Sequence, residues 1–151
     1  MTQEAGLSNL AILPVDPEGL TARAQKGETS PAVGWYGVYG EFPAWDMMLE
    51  RRTTLPARMD AVLFPRMPGE TAYPIVTRLR TDAQVTAFHI QGADIDDTFI
   101  LCEEGAGPVT VGDISFEGRA LLVRRLPKLQ TMAVAPVRIL IDGAEVAAEN
   151  H

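Results

Sequence analysis

Apolar and polar residues alternate along this chain with a period of two far more often than they recur at helical spacing. The segments PIVTRLR, around Ile75 to Arg80, and QVTAFHIQ, from Gln84 to Gln91, are rich in β-branched and aromatic residues, and TDA between them is turn material. DTFILCEE supplies another strand around Thr98 to Glu103. Two hairpin signals follow. Glu117-Gly118 lies between an apolar approach ending at Phe116 and the run RALLVRR, and Asp142-Gly143 is flanked by apolar residues on both sides. Asp-Gly favours a tight primed turn because glycine accepts a positive φ with no Cβ to clash. Upstream, LAILP, LTARAQ, GWYGVYG, WDMMLERR and ARMDAVLF read as further strands. The most helix-like stretch, PVRILIDGAEVAAE, is cut in half by Asp142-Gly143. About a dozen short strands at a spacing of roughly 8–12 residues predict an all-β, antiparallel β-sandwich with little or no helix.

Size fits that picture. A chain of 151 residues is expected to form one sandwich domain over residues 1–151, since no low-complexity tract or linker interrupts it. At this length folding buries about 68–70% of the unfolded surface, enough for a core without staples. The single cysteine, Cys102, leaves no internal disulfide to consider. The formal net charge of −7, from 20 acidic and 13 basic residues, opposes nucleic acid and anionic membrane surfaces as partners, because the long-range field repels them. No apolar run approaches the ~20 residues that span a bilayer.

Candidate chemistry is thin. His89 shares a strand face with Val85 and Ala87, as a hydrogen-bonded histidine in or beside a core would, and His151 is the final residue. Neither has ligands at metal spacing, so no metal and no cofactor is expected. Asp94, Asp96 and Asp97 cluster in GADIDDTF without the glycine and closing glutamate of a calcium loop, and read as a solvated turn entering a strand. Phosphate-binding and nucleophile-elbow motifs are missing. Arg51, Arg52, Arg58, Arg124, Arg125 and Lys128 suit carboxylate recognition, yet neighbouring arginines on a strand face opposite sides, so solvated edge charges are the plainer reading. The aromatic group Trp35, Tyr36, Tyr39 and Trp45 is the remaining candidate, with Arg51 nearby in sequence. In an extended segment Trp35, Gly37 and Tyr39 share one face, with Tyr36 opposite. Such a face is a sugar platform, a domain-docking surface or plain core.

The order GW-x-x-x-YG-x-x-x-PA (Gly34, Trp35, Tyr39, Gly40, Pro43, Ala44), followed by LPARMDAVLFP (Leu55 to Pro65), resembles the C-terminal β-sandwich of the heparinase II/III-like polysaccharide lyases, and ISFEGRALLVRR and ILIDGAEV look like that domain's closing strands. The resemblance spans about Gly34 to Val146 and consists of aromatic, glycine and proline positions rather than a catalytic signature. It implies a bacterial enzyme, periplasmic or secreted, or cytoplasmic as in oligosaccharide-acting relatives. In that family a helical α/α toroid precedes the sandwich, and acidic polysaccharides are cleaved by β-elimination. The family's Asn, His and Tyr catalysts come mainly from parts that have no counterpart in these residues. His89 and Tyr73 sit in no matching motif, so no catalytic residue carries over. The resemblance implies a non-catalytic accessory domain docked on the toroid, with acidic polysaccharide as a further partner and homodimerisation of the isolated domain over its uncovered surface. An independent carbohydrate-binding module and a structural, protein-binding sandwich are the alternatives.

Overall fold

In the computed structural model, residues 7–30, 32–33, 35–36, 42–55 and 57–148 are described. Among them every regular element is a strand and every strand pairing is antiparallel, as the alternation predicts. Among the described residues no helix is long and apolar enough to cross a membrane. The chain opens with β1 (Asn9–Pro14) and continues through β2 (Leu20–Lys26), β3 (Glu28–Thr29), β4 (Ala32–Val33), β5 (Trp35–Tyr36), β6 (Phe42–Pro43) and β7 (Trp45–Arg51). It then runs through β8 (Ala61–Arg66), β9 (Ile75–Thr81), β10 (Val85–Gln91), β11 (Asp96–Cys102), β12 (Val109–Val111), β13 (Ile114–Glu117), β14 (Ala120–Arg124), β15 (Gln130–Val134), β16 (Arg138–Ile141) and β17 (Ala144–Glu145).

Two compact units result. One holds the residues up to Val15 and from Asp60 onward, and the other holds Asp16–Met59. In the larger unit β15-β14-β11-β10-β9 form a five-stranded sheet and β12-β13-β16-β17 a four-stranded one. β1 pairs with β8 in a separate ribbon, which Val15 N extends by donating to the Asp60 carbonyl at 3.0 Å. In the smaller unit β2 pairs with β7, β3 with β4, and β5 with β6.

The sandwich core follows from strand parity. Val85 and Ala87 of β10, Ile100 and Cys102 of β11, and Leu121 and Val123 of β14 line the inner face of the five-stranded sheet. Val109 and Val111, Ile114 and Phe116, and Ile139 and Ile141 line the opposing face from β12, β13 and β16. All twelve form one buried apolar cluster, with Phe116 and Ile100 its largest fully buried side chains. At about 1.5–3 kcal/mol per large apolar side chain, this cluster is the main favourable term in the unit.

The hairpin signals divide. Asp142-Gly143 closes the β16–β17 hairpin with φ of 52° and 78°, the primed turn expected of an Asp-Gly pair. Glu117-Gly118 makes no hairpin, because β13 belongs to the four-stranded sheet and β14 to the five-stranded one. Gly118 sits at the corner where the chain changes sheets. A Cβ there would lie 2.5 Å from Phe116 Cζ and 2.9 Å from the Ala135 carbonyl oxygen, so glycine is required by close approach. The turn in that stretch is one step earlier, at Gly112-Asp113, where Gly112 takes a φ of 60° between the paired Val111 and Ile114.

Candidate functional site

The aromatic candidates all fall in the smaller unit. Trp35 and Tyr36 form β5, opposite Pro43 and Phe42 of β6, while Tyr39 lies outside the described residues. Trp45 begins β7 opposite Lys26 and is 67% exposed, with the lysine Nζ 5.6 Å from its ring centroid. Arg51 ends the same strand opposite Leu20 and donates from Nη2 to the Asp16 carbonyl. Seven extended residues place Trp45 and Arg51 about 20 Å apart along β7. They lie on the same side of the ribbon, but one sugar ring does not bridge them.

In the sandwich, the charged residues of the sequence motifs are drawn into pairs. Asp97, buried at the start of β11, takes a bidentate grip from Arg124 Nε and Nη2 at 3.0 and 2.7 Å. That carboxylate raises the arginine pKa above its ordinary value, first through the hydrogen bond and then through charge. On the opposite side of the chain Arg125 grips both oxygens of Asp113 at 2.9 and 2.8 Å. This second pair ties the end of β14 to the β12–β13 turn, and so one sheet to the other. The two adjacent arginines thus serve different faces, as strand parity requires.

His89 lies on the core-facing side of β10, and its Nε2 is 2.7 Å from Asp96 Oδ1. The pair borders a shallow opening between the sheets, together with Thr98, Asp113 and Arg125. Imidazole, carboxylate and guanidinium are therefore near one another, but each is held by a partner, and the guanidinium is already committed to Asp113. Among the described residues no group of three or more His, Cys, Asp and Glu is placed to hold a metal ion.

The feature that sequence reading missed is the outer face of the five-stranded sheet. Register aligns Phe88, Phe99, Leu122 and Met132 in one row across β10, β11, β14 and β15. The next row carries Thr86, Leu101, Ala120 and Val134, of which Thr86 on β10 is polar and buried. Phe88 and Phe99 stack in a tilted pair with centroids 5.1 Å apart. Met132 is 41% and Val134 61% exposed, and a shallow apolar groove runs between β14 and β15 past Phe99 and Leu122. The signal was present in the sequence: in ALLVR and QTMAV both strand faces are apolar, which a sheet with one solvated face does not need. Compared with protein-family models, curated proteins and solved structures, the chain matches none.

Proposed function

We propose that this chain is a non-catalytic docking β-sandwich, an accessory domain of a heparinase II/III-like polysaccharide lyase that packs against a helical catalytic domain. The observation that carries the reading is the apolar outer face of the five-stranded sheet. The half-buried Phe88, Phe99, Leu101 and Leu122 and the exposed Met132 and Val134 form a contiguous apolar strip, where an independent sandwich would place polar side chains. A partner that covers the Phe99–Met132 row gains about 25 cal/mol for each Å² of apolar surface removed from water. The pairing of Asp97 with Arg124 and of Asp113 with Arg125 also supports the reading, since it gives the sandwich internal rigidity and leaves binding to the apolar face.

The test has two arms. Purified chain incubated with alginate, heparin and heparan sulfate should produce no unsaturated uronate absorbance. Mixed with a separately produced helical toroid domain of a heparinase II/III-like lyase, the chain should form a complex, and Met132→Glu should abolish that complex while leaving the circular dichroism of the chain unchanged. Turnover by the chain alone, or complex formation indifferent to Met132→Glu, overturns the proposal.

A further inference from the structure

We propose that β15 is an interface strand, through which two copies of this chain pair edge to edge and join their five-stranded sheets into one. The two sheets of the sandwich leave four edges: β15 and β9 on the larger, β12 and β17 on the smaller. An edge strand presents unpaired N–H and C=O groups to any extended chain, so edges are normally blunted by charge, shortness or a bulge. Three of the four are blunted. β9 carries Arg78 and Arg80, and its pairing shifts register between Ala87 and Phe88 of its neighbour. β12 has three residues, and β17 has two, one of them Glu145. β15 has none of these devices. Its five residues, Gln130 to Val134, include no charge and no proline, and they pair with β14 in unbroken register. Among the described residues no strand lies on its other side.

The surroundings of this edge are apolar. Leu126, Leu129, Met132, Val134 and Val137, all exposed, lie on the strand or just beyond its ends. Thr131 is committed to the core side, where its hydroxyl donates to the Ala147 carbonyl at 2.8 Å. The edge therefore offers backbone flanked by apolar side chains, which suits another β-strand rather than a charged ligand.

Strand parity selects a second copy and fixes its register. A two-fold axis normal to the sheet sets outer face beside outer face, so one residue must lie opposite its own mate. Met132, at the strand's centre, is the choice that pairs all five residues. Gln130 then faces the partner's Val134 and Thr131 faces the partner's Ala133, with no like charges opposed. The outer row Phe88, Phe99, Leu122 and Met132 runs on unbroken into its mate, a continuity that an unrelated strand lacks. Edge pairing leaves both outer faces open, so it does not rest on the docking reading. A seam of five residues belongs with the small, transient interfaces below about 1,200 Å², with a dissociation constant of about 100 µM.

The experiment is sedimentation velocity of the full chain at rising concentration with no other protein present. Dimer should appear at about 100 µM. Gln130→Lys combined with Val134→Lys sets like charges opposite each other twice across the axis, and should raise the dissociation constant at least about tenfold. Gln130→Lys combined with Val134→Glu should keep the dimer, and circular dichroism of both variants should match the parent. Met132→Cys should link to its mate under mild oxidation, because opposed Cα atoms lie about 4.5–5.5 Å apart, within disulfide reach, whereas Gln130→Cys should not. A chain that stays monomeric up to about 1 mM, where even weak pairs form, overturns the proposal. So does a dimer indifferent to the two lysines, or Gln130→Cys linking as readily as Met132→Cys. Every arm omits the helical domain, so failure here is distinct from failure of the docking reading.

Discussion

Replacing Gly118 by alanine tests the sheet-changing corner directly. The new methyl would meet Phe116 Cζ at 2.5 Å, Phe116 Cε2 at 2.8 Å and the Ala135 carbonyl at 2.9 Å. Phe116 is 1% exposed and is held inside the core cluster, so its ring cannot swing into water. Overpacking of this kind costs about 1–3 kcal/mol, a sizeable part of the roughly 5–15 kcal/mol that holds a domain folded. Phe116→Leu alone should cost about 1–2 kcal/mol through lost burial and a partly collapsed void. In the double variant the ring edge that the added methyl would strike is gone, while the clash with the Ala135 carbonyl remains. The two changes should therefore combine to less than their sum by at least about 0.5 kcal/mol, the coupling expected of residues in direct contact. Urea unfolding of the four proteins, with the slope checked for constancy, gives the cycle. Additive costs would refute the reasoning, as would a Gly118→Ala protein as stable as its parent.

Three other outcomes are expected. Arg124→Ala should destabilise the fold by about 3 kcal/mol by stranding the buried Asp97 carboxylate, and Asp97→Asn should cost less because the half-exposed Arg124 turns to water; thermal unfolding ranks the two. At the β9–β10 turn Asp82 accepts from the Gln84 and Val85 amides at 2.9 Å and from Arg80 Nε at 2.7 Å, and these bonds, Gln84's first, lower its pKa below the ordinary value of 3.8. A depressed folded pKa means the contribution is present above the unfolded value and fades as pH falls through the folded one, so exchange protection of the Gln84 and Val85 amides should drop only below about pH 4, and Asp82→Asn should remove that pH dependence. Burial raises the Cys102 thiol above its ordinary pKa of 9.0, so a disulfide reagent should react slowly with native protein and at full speed in denaturant; rapid native labelling would contradict the packing of β11.

Much of the architecture was legible because β-structure writes itself locally. Alternation in VTAFHIQ and DTFILC places Val85, Ala87, Ile100 and Cys102 on one side with no knowledge of the partner strand. The same parity foretold that Arg124 and Arg125 would serve opposite faces and that His89 would lie on the core side with a hydrogen-bond partner. Asp142-Gly143 announced its own turn, since the required positive φ values concern two residues only.

What the sequence withheld is whatever depends on distant segments meeting. Glu117-Gly118 looks like Asp142-Gly143 in the chain, but its glycine is required by the Phe116 ring and by a carbonyl well downstream, at Ala135. The aromatic group suggested one platform, yet Trp45 and Arg51 cap opposite ends of β7, and a local motif cannot show that separation until the strand is known to be continuous. The apolar row from Phe88 to Met132 exists only because β14 is hydrogen-bonded beside β11, across the intervening β12–β13 hairpin. Periodicity along a strand is a property of adjacent residues, so the amino-acid order alone decided that this chain is all β and which side chains face together. Strand order and the sheet-changing corner come from contacts between segments far apart in sequence, and those are settled only when the sheets assemble.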